Sequence, residues 1–376
     1  MSGSFEVVIV GLGAMGSAAA YHLARRGWRV LGLDRFTPPH SLGSSHGQTR
    51  FIREAYFEHP LYVPLVQRAY ERWTELEQAI GRPLWRQTGG LMIGPGQGTL
   101  LTGVQQSAQI HHLAYELFSA AEVRQRFPAF RPPDEMIAVW EPRAGILFPE
   151  ACIEAHLDMA RRHGAMLQFD EPVIAWEADG QGVRVQTSKG SYQAARLLLT
   201  VGAWLPRLVS ELALPLTVER QVQFWFEPAA RAEYFDVNRC PIYLWEYRPD
   251  CFFYGFPDLG EGVKVGRHHE GEITDPEKVR REVAPEEVEA MRALLRRFMP
   301  DADGPLRATS VCLYTNTPDS HFLIDVHPDH PQVVMASPCS GHGFKFSSVI
   351  GEILADLLTE GQTSFDLSCF RLSRFS

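Results

Sequence analysis

An α/β fold is predicted, in which a Rossmann-type domain is interleaved with a strand-rich (α+β) second domain. Three observations predict it. The first 34 residues read strand, glycine turn, helix, strand; strand-like and helix-like runs mix through the rest of the chain; and the last helix again follows a strand and a glycine turn. Such mixing implies a layered α/β architecture. The likeness of the two ends assigns both to one nucleotide-type domain. At 376 residues, 45% hydrophobic and 22% charged, the chain can build two sizeable cores.

The elements follow in order. Phe5 to Val10 is apolar and β-branched, GLGAMG makes a turn, and SAAAYHLARRG is an alanine-rich helical pattern. WRVLGLD predicts a second strand ending at Asp34, followed by the polar loop TPPHSLGSSHGQTR. Two aromatic amphipathic helices are expected between Pro60 and Ile80. Pro and Gly clusters near 94–97, 131–133, 248–250 and 257–262 separate further strand-like runs. Pro149 to Gly164 reads as a helix. DEPVIAWEADGQGVRVQTSKGSYQAARLLLTVGAW reads as three or four strands turning at DGQG and SKG. Glu282 to Met299 is a charged amphipathic helix, followed by a strand with Cys312 and by HFLIDVHP. The strand PQVVMASP then leads through CSGHG into the helix FKFSSVIGEILADLLTEG.

Composition narrows the function classes. A net charge of -9 with well-mixed signs argues against nucleic acid or an anionic membrane as partner. No apolar run approaches the roughly 20 residues that span a bilayer, and MSGSFEVVIVGLG lacks the pattern of a signal peptide. The six cysteines carry no metal spacing and no HExxH occurs, so no metal site and a reducing, cytoplasmic setting are expected.

Gly11-Leu12-Gly13-Ala14-Met15-Gly16 has the dinucleotide spacing. Gly11 permits the tight turn, Gly13 lets backbone amides approach a pyrophosphate, and Gly16 allows close helix–strand packing. Asp34, at the end of the second strand, can hold ribose hydroxyls. This fingerprint does not separate FAD from NAD. In SSHGQTRFIRE, Arg50 and Arg53 lie three apart beside His46, as a solvated basic loop or as a paired site for a carboxylate or flavin edge. Lys264, in GEGVKVGRHH, reads equally well as a surface strand lysine. Lys345 stands at the first turn of a helix, where the dipole repels a cation unless an anion is near. Cys312, read locally, is a small buried hydrophobe that shares a strand face with Tyr314.

GLGAMG with Asp34, SSHGQTRFIR, KVGRHH, VCLYT and SGHGFKFSSVIGEIL, in this order, resemble the monomeric sarcosine oxidase and N-methyltryptophan oxidase family of FAD amine oxidases. The likeness runs nearly end to end through GILFPEACI, LLTVGAW and SHFLIDVHP. It implies an FAD-binding domain over residues 1–85, 145–210 and 320–376, and a substrate domain over 86–144 and 211–319.

The resemblance also implies roles. Cys312 matches the cysteine bonded to the flavin 8α-carbon, a task suited to a thiolate near cations. Lys264 matches the lysine over the flavin that promotes reaction with O2, by electrostatic stabilisation of reduced oxygen. Arg53 and Lys345 match the pair that binds the substrate carboxylate. Arg50 matches an arginine on the other flavin face, His268 a histidine near the substrate amine, and Tyr254 and Tyr314 the pocket walls. The flavin N1–C2=O edge falls to the backbone of Gly341, Gly343, Phe344 and Lys345. Arg35, Ser44, His46, Thr49, Val173, Gly202 and Trp204 complete the implied cofactor contacts.

The implied reaction is oxidation of a secondary amino acid to an imine that hydrolyses, with O2 reduced to hydrogen peroxide by a monomeric enzyme. Sarcosine, N-methyltryptophan, pipecolate and proline analogues are the substrate candidates. A flavin or NAD dehydrogenase with another acceptor is the alternative. Ser45 and Gln48 stand where the family has His and Asp, Pro338-Cys339 precede SGHG, and the FDLSCFRLSRF tail looks closer to the N-methyltryptophan oxidases. The pocket around Trp245 and Tyr247 is expected to be bulky, which leaves substrate size open.

Overall fold

The computed structural model describes residues 5–375; the first four residues, where the expected FAD-binding domain and the N-terminal stretch begin, and Ser376 lie outside them. Phe5–Val10 pairs in parallel with Val30–Leu33 on one side and Ser191–Leu199 on the other. Met166–Gln168 adds to the first neighbour and His330–Ser337 to the second, again in parallel. Val173–Asp179, Gly182–Thr187 and Leu323–His327 extend the sheet antiparallel, to eight strands. Val7 to Ile9 and Leu197 to Leu199 are buried on both faces, which explains their unbroken apolar runs. The first helix, Ala14–Arg25, packs against both Pro149–Arg162 and Ser347–Glu360, so the two ends of the chain meet in one layer.

The second sheet has nine strands and is mainly antiparallel. It runs through Gly90–Pro95, Met136–Glu141 and the segments between Thr217 and Asn316. Phe226 and Phe253 pack one face of it against Phe298 and its neighbours on the helix Pro285–Phe298. The other face turns toward the first sheet. Arg50–Ile52, Trp85–Gln87 and Gly145–Leu147 form a small sheet where the chain crosses between the two.

Several expectations change. Residues 60–80 hold a single helix, Tyr62–Ile80. Pro64 falls in its first turn, where a missing N–H breaks no hydrogen bond. Of the three or four strands expected after Asp170, three form, Val173–Asp179, Gly182–Thr187 and Ser191–Leu199. The helix expected from Glu282 starts at Pro285, a proline being favoured at the first position. Lys345 lies in the 3-10 turn Phe344–Phe346 ahead of the last helix. Among the described residues no helix is long and apolar enough to cross a membrane.

Candidate functional site

Two cavities lie between the sheets and share a wall formed by Ala14, Met15, Ser44, Ser45, Pro338 and Cys339. The larger, of about 390 Å³, opens at the end of the first strand. Gly11 has φ +89°, and a Cβ there would come within 2.6 Å of the Thr200 carbonyl oxygen. A Cβ on Gly13 would meet nothing within 4 Å, so there is room beside the positive end of the first helix. Gly16 sits against Gly11 and does not line the cavity. Asp34 accepts the Leu12 N–H at 2.7 Å and the Phe36 N–H at 2.8 Å. Burial pushes its carboxyl up, against the pull of those two N–H groups. Arg35 spans the Phe36 and Trp204 rings and pairs with Glu277 at 2.5 Å, which also accepts the Trp204 indole N–H. Val173 and Gly202 line the same space. An open glycine turn, a helix N-terminus and a strand-end carboxylate fit the pyrophosphate and ribose of a dinucleotide such as FAD.

The smaller cavity, of about 130 Å³, is floored by the second sheet. Strand alternation sends Cys312 and Tyr314 to one face, and Lys264 and His268 of the strand Val263–His268 join them. Tyr254 stands opposite Gly266, between Lys264 and His268. Gly341, at φ +78°, presses onto this floor: a Cβ there would lie 2.6 Å from the Tyr314 ring and 2.8 Å from His268.

Cations dominate the walls. Lys264 shares this sheet face but lines neither cavity; 2% exposed, it donates to the Gly47 carbonyl at 2.6 Å and to both Thr49 oxygens at 3.0 Å. Burial first, and Arg50 second, push its pKa well below the usual lysine value. Arg50 donates to the carbonyls of Ser44 (2.7 Å) and Thr49 (2.8 Å). The two cations thus stitch down the loop that carries Ser44 and Thr49.

Arg53, 3% exposed, pairs with Glu58 at 2.8 Å and donates to the Ala55 carbonyl at 2.7 Å. Burial is the largest influence and would lower its pKa, but Glu58, Tyr56 and Glu141 together raise it, and the net shift is upward. Lys345 donates to the Tyr56 hydroxyl at 3.0 Å and the His342 carbonyl at 2.7 Å. Burial, then Arg53, bring Lys345 down to about 7, with Glu58 opposing. His342 Nε2 donates to the Ser320 carbonyl at 2.9 Å, so its Nδ1 accepts from Tyr56 at 2.8 Å. That tautomer aims the Tyr56 oxygen at Lys345.

Burial and His269 hold His268 neutral, with Nδ1 at 3.2 Å from the Tyr314 hydroxyl. Burial raises both Tyr254 and Tyr314, so both phenols stay protonated. Cys312, 1% exposed, accepts a hydrogen bond from Gln223 Nε2 at 3.3 Å. Gly343 and Phe344 complete the wall beside Gly341.

Not every expected residue reaches these cavities. His46 lines neither, its ring nitrogens have no partner, and burial with Arg50 brings it to about 3. Trp245 and Tyr247 pack on the far side of the sheet; Trp245 stacks on Phe253 and meets Phe298 at a tilt, while Leu244 faces the cavity. Burial raises the Cys339 thiol to about 11, so this second cysteine stays protonated. Tyr56, Glu58, Gln223 and His342 were not anticipated. Glu58 alone had a local signal, a carboxylate five residues after Arg53.

Residues 6–357 match the model of the FAD dependent oxidoreductase family. The chain is 43% identical to a monomeric sarcosine oxidase of Streptomyces avermitilis, over 98% of this chain and 97% of that protein. It is 38% identical to an N-methyl-L-tryptophan oxidase of Salmonella agona, over 99% of each. Among solved structures, NikD, described as an unusual amino acid oxidase essential for nikkomycin biosynthesis, is similar with a TM-score of 0.86 at 27% identity, over 98% of both chains.

Proposed function

The chain belongs to the FAD-dependent oxidoreductase family and is an FAD-dependent amine oxidase of the sarcosine oxidase type; on that premise we propose that Arg53 and Lys345 bind its secondary amino acid substrate by the carboxylate. One observation carries this. Two buried cations line the smaller cavity, and among the described residues of its lining one carboxylate, Glu58, faces them. A buried charge without a partner is costly, and an incoming carboxylate supplies the missing one. It would also draw Lys345 back to its charged form.

The rest of the site serves the amine. FAD, when bound, supplies the two-electron chemistry, taking a hydride equivalent from the amine and delivering electrons to O2 to give hydrogen peroxide. The cation pair favours the neutral, oxidisable amine, and the unprotonated His268 beside Tyr314 offers it no competing charge. Lys264, held by three protein oxygens just outside the cavity lining, would supply the positive charge that reduced oxygen needs. Backbone amides of Gly341 to Phe344 would meet the flavin N1–C2=O edge. Cys312 would bond the 8α-carbon, its sulfur held by Gln223. Among the larger-cavity residues, Asp34 would take the ribose. A monomeric, cytoplasmic enzyme goes with this reading.

A peroxide-coupled screen of sarcosine, N-methyltryptophan, proline and pipecolate tests it. Peroxide from at least one of them is expected, lost in Arg53→Ala at low substrate. Peroxide from primary amino acids alone would sink the reading.

A further inference from the structure

Glu141 ends the strand Met136–Glu141 of the second sheet and is 2% exposed. It lines neither cavity, yet both its oxygens are spent on a segment that does. Oε1 accepts the Glu54 N–H at 2.5 Å and Oε2 the Ala55 N–H at 3.0 Å. These amides directly follow Arg53, whose guanidinium returns to the Ala55 carbonyl at 2.7 Å. The carboxylate, the turn and the guanidinium therefore form one closed unit. Three residues further on, the same segment has delivered Tyr56 to Lys345 and Glu58 to Arg53.

We propose that Glu141 is a positioning residue for substrate binding, whose charged carboxylate clips the turn from Arg53 to Glu58 onto the second sheet. The clip sets where Arg53 and the Tyr56–Lys345 pair stand, so the proposal rests on reading those cations as the carboxylate site. Without it, two buried backbone donors would lack partners, and a charged acceptor holds them better than a neutral one. Arg53 and Glu54 on the turn, Tyr70 on the helix Tyr62–Ile80, and Arg143, which pairs with Glu54 at 2.8 Å, are the ionisable groups around it. Burial pushes Glu141 up to about 7, opposed by the two N–H groups and Arg53 and assisted by Glu54. The clip is charged above that pH and weakens as pH falls through it, since a protonated carboxyl loses an acceptor. Lys345 gains charge over the same range, but does so in wild type and variant alike, so their ratio isolates Glu141.

The test uses the holoenzyme and methoxyacetate, which carries a carboxylate and no amine, with Kd read from flavin absorbance. Glu141→Gln is expected to bind it roughly ten-fold more weakly than wild type near pH 9, with the ratio falling toward one near pH 6. A ratio of one throughout overturns the proposal. So does a ratio that does not change with pH, which a merely structural role predicts. Arg53→Ala runs alongside: if it too binds normally, the carboxylate site itself is wrong and this proposal falls with it. Weak binding by Arg53→Ala beside normal binding by Glu141→Gln overturns the proposal alone. Should Glu141→Gln not accumulate, hydrogen exchange of the Glu54 and Ala55 amides in wild type decides, after correction for intrinsic rates. Protection that declines below about pH 7 supports the clip, and protection independent of pH refutes it.

Discussion

Replacing Arg53 by methionine separates its structural work from its work on substrate. The change strands Glu58, whose side chain is 13% exposed, inside a cavity wall. Breaking a buried pair by removing one partner costs about 3–5 kcal/mol. Partial exposure of Glu58 and the nearby Lys345 place this case at the low end, about 3 kcal/mol. For 376 residues, unfolding entropy is about 0.8 kcal/mol/K, so Tm should fall by about 4 °C. Adding Glu58→Gln removes the stranded charge and should restore most of that loss. Substrate binding behaves differently. Losing a charge-assisted, two-pronged contact costs about 2–3 kcal/mol, or roughly 30- to 150-fold in affinity, and Glu58→Gln cannot restore it. Glu58→Gln alone removes the internal competitor for Arg53 and should tighten substrate carboxylate binding. Thermal melts and steady-state kcat/KM on the single and double variants read both effects. Should the double variant regain substrate affinity along with Tm, Arg53 acts on the fold alone and its carboxylate role is refuted.

Other outcomes follow from the same geometry. Cys312→Ser should release its yellow colour into the supernatant on acid precipitation, whereas wild type keeps it in the pellet; colour released by wild type excludes the tether. Lys264→Met should slow reoxidation of the reduced enzyme by O2 roughly 100-fold or more, while reduction by amine changes less, as stopped-flow absorbance reads directly. Lys345 is charged below about 7 and loses its proton as pH rises, so carboxylate affinity should decline above neutrality. A Lys345→Met variant whose affinity fell in parallel with wild type would assign that limb elsewhere. Gly11→Ala forces a side chain into φ +89° against Thr200, at about 1–2 kcal/mol for the handedness alone plus the clash. Purified protein should therefore carry less flavin than wild type.

Local chemistry was legible in the sequence and the directions of strand faces were not. The GLGAMG turn, the helix behind it and Asp34 all lie within 34 residues, where spacing and conformation settle one another. A period of two sufficed to put Cys312 and Tyr314 on the same face. The same rule could not choose a face for Ile242–Arg248, which is apolar on both sides, so Trp245 was expected at the pocket and lies in the core. Pro64 was compatible with a helix break or a first turn, and only packing over the full length to Ile80 selects the turn.

Short-range spacing and periodicity were enough for the mixed α/β plan, the nucleotide turn and the inventory of cations and thiol. Tertiary structure alone decided how those groups are electrically balanced. Gln223 against Cys312 and Glu141 against an amide 86 residues away are pairings between backbone segments whose approach is set by sheet register and burial. A lysine in an apolar run says nothing of its charge. Burial among other cations, which no short stretch of sequence contains, is what moves Lys345 to about 7 and prepares it for an anion.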